Sequence, residues 1–156
     1  MKAMCMFFIA SMFSIIIAGC TSTDPEPINY GHNNCDYCKM TIVERSFGAE
    51  LVTNKGKKFK FDSIECLAAF EITGAVAETN IHSMWVTDAA NPETFINTKE
   101  ASFIFSKDIK SPMSVGLIAY KSKQTADSLA ASSLSGTIVN WEQLTNIVTL
   151  AWFNNK

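Results

Sequence analysis

Residues 35–40 read Cys-Asp-Tyr-Cys-Lys-Met. Two thiols and a thioether this close together can serve as a redox pair, half of a zinc site, a disulfide staple or a soft-metal site. Cys66, His82 and Met113, the last within "KSPMS", are further side chains that could join them. Each has an ordinary explanation as well. A helical cysteine is most often packing, and methionine commonly fills gaps in a core. Their co-occurrence in one chain is what calls for chemistry.

A thioredoxin-like CxxC lies between a strand and a helix, whose N-terminus lowers the thiol pKa. Here Cys38 runs straight into "MTIVE" (Met40 to Glu44), a β-branched run that predicts a strand. Structural zinc wants four closed ligands, typically in two pairs. The chain offers one CxxC, then Cys66 alone, with His32 and His82 in no paired spacing. A soft monovalent metal asks for less, because thiolate and thioether sulfurs select Cu(I) over hard cations. Alternate residues of a strand share a face. If the strand begins at Cys38, then Cys38 and Met40 project together and Lys39 points away. Met113 follows Pro112 between serines, which predicts a turn. It is either a third ligand or a small loop anchor. Cys35, Cys66 and His82 are additional candidates.

The N-terminus bears on the compartment. Lys2 precedes the apolar run "MCMFFIASMFSIII", which leads into Ala18, Gly19 and Cys20. A basic start, a short apolar stretch and small residues before a cut mark a secretory signal. "IAGC" resembles a bacterial lipobox, in which cleavage precedes the cysteine and Cys20 takes a lipid. Residues 1–19 are therefore expected as a lipoprotein signal peptide. Residues 20–33, polar and holding Pro25 and Pro27, are expected as a flexible, lipid-anchored linker. Thr21 rather than an acidic residue after Cys20 favours the outer membrane, facing the periplasm. About 137 residues then remain, enough for one compact domain or two small ones. The formal charge of the whole chain is −2, with no basic patch, so nucleic acid is not an expected partner. Of the five cysteines, Cys35, Cys38 and Cys66 are left, an odd number that disfavours a purely disulfide-stapled scaffold.

Several elements must position these groups. Residues 49–54 and 58–61 read as strands around a turn at 54–57. Asp62 is the expected N-cap of a helix, with Glu65 completing a capping box and Gly74 ending it. That puts Cys66 in the first turn or two. Residues 83–88 read as the next strand. In the second half, residues 94–97, 101–106 and 114–122 read as strands, 123–136 as a helix ending at Gly136, and 137–144 as beginning a strand. Both halves follow strand, strand, helix, strand. The expectation is an α+β fold of two related ββαβ units packed into one compact domain, spanning 34–90 with the CxM motif and 91–156 with the SPM loop. Strands and helices do not alternate one for one, which argues against a doubly wound parallel sheet.

"CDYCKMTIVERSFGAELVTNKGKKFKFDSIECLAAF", followed by "MWVTD" and "SPMS…LIAYKS", resembles the NosL family of copper-binding accessory lipoproteins of nitrous oxide reductase. The resemblance spans nearly the whole mature chain, and its most specific parts are the CxM core and "FDSIEC". It implies two ββαβ units and an exported Cu(I) chaperone without catalysis of its own. It also implies delivery to apo nitrous oxide reductase, in denitrification, alongside a membrane maturation and transporter complex. Matched to the family motif, Cys38, Met40 and Met113 are the implied ligands. Members often carry a histidine after the first strand, where this chain has Arg45 or Ser46, and an aspartate where it has Cys66. Cys35, Cys66 or His82 would then complete the set. Three other functions remain open. One is a membrane-anchored thiol-disulfide protein using Cys35 and Cys38. Another is a general copper chaperone for a different cuproenzyme. The third is an organomercurial lyase using Cys38, Cys66 and Asp62.

Overall fold

The computed structural model describes residues 22–154. The signal peptide and the lipidation of Cys20 expected from the sequence lie outside the described residues. The elements in order are β1 (Ala49–Thr53), β2 (Lys58–Phe61), α1 (Ile64–Ile72), a 3-10 turn (Glu78–Asn80), β3 (Ile81–Asp88) and β4 (Asn91–Asn97), then β5 (Ser102–Phe105), β6 (Leu117–Tyr120), α2 (Lys123–Ser132), β7 (Thr137–Val139) and α3 (Trp141–Trp152). One sheet has the order β2-β1-β3-β4 and the other β6-β5-β7. In each, the first strand of the unit is central and pairs antiparallel with the two others. Two ββαβ units are therefore present with the same strand order, and the α+β class holds.

One large core joins the units, and a smaller cluster of Ile104, Ile109, Tyr120, Ala126 and Ala130 lies beside it in the second unit. The large core runs from Ile28, Leu51 and Phe61 through Ile64 and Leu67 to Phe103, Leu117, Leu144 and Val148. Helix α1 lies at its centre, and every residue from Ile64 to Phe70 is buried. A helix apolar on all sides belongs inside a fold rather than on its surface. Each large side chain buried there contributes about 1.5–3 kcal/mol over leaving it exposed. Cys66 is fixed by this packing.

Several elements differ from the sequence expectations. The run Met40–Glu44 is no strand; only Thr41 forms a bridge, to Asn34. β-branched composition favours extended backbone, but here the run follows the left-handed turn at Lys39 and pairs through that one bridge. The segment expected as a flexible linker is fastened to the domain from Glu26 onward. The Glu26 N–H donates to Glu50 Oε1 at 2.8 Å, Lys58 pairs with Glu26 at 3.0 Å, and Ile28 is buried in the core. Gly48 allows that seating, because a Cβ there would lie 2.5 Å from the Tyr30 hydroxyl. β4, grouped by the sequence with the second unit, pairs with β3 and extends the first sheet. Finally, α2 stops at Ser132, and the residues after β7 form α3. The N-terminus of α3 is closed by a capping box between Asn140 and Gln143.

Candidate metal centre

Residues 33–42 form a compact knuckle. The Cys35 N–H donates to the Met40 carbonyl at 2.8 Å, Lys39 N–H to the Cys35 carbonyl at 3.0 Å, and Ile42 N–H to the Asn33 carbonyl at 2.9 Å. Lys39 adopts φ 68°, the left-handed conformation that lets so tight a loop close. Two bonds hang the knuckle on the outer edge of β2. Asp36 N–H donates to the Lys60 carbonyl and Lys60 N–H to Asp36 Oδ2, both at 2.8 Å. On the other side the Tyr37 ring lies nearly parallel to that of Trp152, with centroids 6.0 Å apart. Helix α3, invisible to the sequence reading, thus supports the loop that carries two thiols.

The third thiol comes from α1. Ser63, not Asp62, is the N-cap, and its hydroxyl accepts the Cys66 N–H at 3.2 Å. Glu65, expected to close a capping box, turns inward instead. Its Oε1 accepts the Ser111 hydroxyl and lies 3.4 Å from the Leu117 N–H. Asp62 is released to face the knuckle. The sulfurs of Cys35, Cys38 and Cys66 and a carboxylate oxygen of Asp62 all lie within 4.8 Å of one another. Among the described residues the three cysteines are free, Cys35 and Cys66 buried and Cys38 half-buried.

Hydrogen bonding divides the three thiols. Cys35 is pulled down to about 6, chiefly by a hydrogen bond from Cys66, with help from the main-chain N–H groups of Asp62, Cys38 and Tyr37 and against its own burial. Cys38 is pushed up to about 11, first by burial, although the Met40 N–H points at its sulfur. Cys66 is raised because its proton is shared with Cys35 and because it is buried. Three cysteine sulfurs that share protons, with main-chain N–H groups directed at Cys35, are soft donors that a metal ion can draw together by displacing protons, and the Asp62 carboxylate adds a hard oxygen beside them.

The expected site residues are placed unequally. Cys38, Cys35 and Cys66 converge. Met40 does not share a strand face with Cys38, because the left-handed Lys39 breaks the alternation. Its side chain is 47% exposed at the end of the knuckle. Met113 is half-buried in the loop between β5 and β6, packed on the main core. His82 is exposed on β3, lining a cleft with Glu71 and Glu78, and is not among the converging donors. His32 is exposed ahead of the knuckle. Asp62, expected as a helix cap and grouped with Cys38 and Cys66 only in the organomercurial-lyase alternative, joins the converging donors. Its spacing of four before Cys66, across the start of a helix, was the available signal.

The NosL family model matches residues 28–149. Among solved structures, the crystal structure of the copper chaperone NosL from Shewanella denitrificans is similar, with TM-score 0.67 and 21% identity, covering 78% of this chain and 96% of that one. At that identity the likeness carries the fold. No curated protein matches the chain in sequence.

Proposed function

The chain belongs to the NosL family, and from that premise we propose that it is a Cu(I)-binding chaperone. The observation that carries the reading is the convergence of three free cysteine sulfurs within 4.8 Å. Cu(I) is cargo here, and no step of catalysis is assigned to the chain. Cys38, the half-buried thiol, is where copper enters and where an acceptor's ligand attacks. Cys35 and Cys66 hold the ion from below. Ligand exchange at the open side passes the metal on without releasing it free. The exposed thioether of Met40 and that of Met113 are proposed as accessory ligands; being neutral, they keep their affinity for Cu(I) in acid.

The proposed setting follows the sequence and the family. A lipid on Cys20 anchors the chain to the outer membrane, facing the periplasm, and apo nitrous oxide reductase with its maturation complex receives the copper. A different cuproenzyme as acceptor is the alternative. Thiol-disulfide exchange through Cys35 and Cys38 is less well supported, because the depressed thiol is the buried one and the accessible thiol is raised.

The test is an anaerobic Cu(I) competition titration of the reduced chain and its variants. Cys35→Ser, Cys38→Ser and Cys66→Ser are each expected to weaken binding by about 10-fold or more, as loss of a ligand should at least match loss of an outer-shell partner. Met40→Ala and Met113→Ala are expected to weaken it less. Parent-like affinity in all three serine variants would exclude the site. For the anchor, Cys20→Ala is expected to move the chain out of the membrane fraction.

A further inference from the structure

We propose that the tip of the β1–β2 hairpin docks on an anionic phospholipid bilayer, so that the anchor seats the domain on the membrane with its metal centre held away from the lipid. The inference rests on the proposed lipid at Cys20. The segment ahead of β1 is fastened almost up to that residue. Lys58 Nζ donates to the Ser22 carbonyl at 3.3 Å and pairs with Glu26 at 3.0 Å. Lys60 Nζ donates to the Pro27 carbonyl at 3.1 Å. These two lysine side chains are 13% and 18% exposed, so both are taken up by the segment they hold. Ser22 is two residues from Cys20, and two residues reach at most about 7 Å. A lipid on Cys20 therefore leaves the domain close to Lys58, at the end of β2 that adjoins the hairpin turn.

The surface at that end has the chemistry of a lipid contact. Lys55 and Lys57 are exposed in the turn, and among the described residues neither pairs with a carboxylate. Three hydrogen bonds fix the turn that presents them. Thr53 N–H donates to the Lys57 carbonyl and Lys57 N–H to Thr53 Oγ1, both at 2.9 Å, and Gly56 N–H to the Thr53 carbonyl at 2.8 Å. Beside the turn lies a cleft of about 380 Å³ whose lining includes Lys55, Lys57, Phe59, Ala75, Val76 and Ala77. Ammonium groups together with apolar side chains suit a lipid phosphate and the carbons next to it. A lysine held near an anionic membrane surface adds about fivefold to affinity. The metal centre stands clear of this contact. Asp62 and the start of α1 follow the other end of β2, about 15 Å from Lys57 by the rise of a strand, and the knuckle hangs on Lys60. With the hairpin tip on the bilayer, the thiols stay within reach of an acceptor in the aqueous phase.

The experiment takes the chain purified from membranes, checks for the lipid on Cys20 by the mass of its N-terminal peptide, and inserts it in vesicles of phosphatidylcholine alone or mixed with phosphatidylglycerol. Lysines are then acetylated, and the rate at each is read by mass spectrometry. Lys121, exposed beside Asp88 at the opposite end of the first sheet, is the reference. Relative to Lys121, Lys55 and Lys57 are expected to label about fivefold more slowly on the mixed vesicles than on phosphatidylcholine. Salt at about 1 M, which shortens the screening length to about 3 Å, should remove the difference. Equal rates on both kinds of vesicle, in a chain that carries the lipid, overturn the proposal and leave the anchor reading standing. Slowing that salt does not touch overturns it as well. A chain with no lipid on Cys20 sinks the anchor reading, and the proposal with it.

Discussion

Cys38 differs from Cys35 and Cys66 in being half-buried where they are buried, and it alone can meet an incoming ligand without a change in the fold. The protons on these thiols set how binding responds to acid. A metal competes with protons for thiolate, so apparent Cu(I) affinity is expected to fall as pH falls. Above about pH 6 the metal displaces protons from Cys38 and Cys66; below it, Cys35 is protonated too, and the fall steepens. Competition titrations on either side of pH 6 check this, and a slope unchanged across that point would contradict it. A second residue, Glu50, is buried on β1 with Oε2 unpartnered. Burial, opposed by the Glu26 N–H, raises its carboxyl from 4.5 to about 6. In that window the folded state holds the proton more tightly than the unfolded state does, so stability from this group falls as pH rises through it. Glu50→Gln keeps the acceptor and should stabilise the neutral-pH protein by about 1 kcal/mol, an advantage lost below the window. Urea midpoints at neutral and acid pH measure it. The sequence put Cys38 first with Met40 and Met113 and held Cys35, Cys66 and His82 as additions; of these, Cys35, Cys38 and Cys66 lie together. Asp62 was grouped with Cys38 and Cys66 only in the organomercurial-lyase alternative and left out of the copper set, because an aspartate before a helix is so good a cap; neighbouring Ser63 takes that place.

At the scale of elements, the strands of both sheets and helices α1 and α2 were legible because alternation and caps are local signals. The knuckle was not. Its left-handed position carries Lys39 where glycine would have announced a turn, and the β-branched run after it looks extended. Helix α3 was missed because "TIVNWEQL" passes from strand to helix within a few residues, although Asn140 and Gln143 stood at capping-box spacing. That helix matters to the site through the stacking of Trp152 on Tyr37. Trp152→Ala is expected to cost about 1–2 kcal/mol and to weaken metal binding beyond what the stability loss explains, since the knuckle loses one of its two supports. Thermal melting and Cu(I) titration of the same variant separate the two effects. Unchanged affinity would show that the hydrogen bonds to β2 suffice.

At the scale of the whole molecule, the two units share one core, with α1 enclosed between them and α3. The site draws on the first unit's knuckle and helix, while the second unit holds both in place. Leu144, fully buried on α3 in the common core, tests that unity. Leu144→Ala should cost about 2–5 kcal/mol and lower a single transition seen alike by helix content and tryptophan fluorescence. Two separated transitions would mean that the units fold independently. The central claim is that three cysteine sulfurs converge to carry Cu(I), and copper-edge X-ray absorption of the Cu(I)-loaded, reduced chain tests it most directly. A shell of sulfur alone, reduced in Cys35→Ser and in Cys66→Ser, is the expected result. A copper neighbour shell of nitrogen or oxygen, or a sulfur shell identical in both variants, would contradict it.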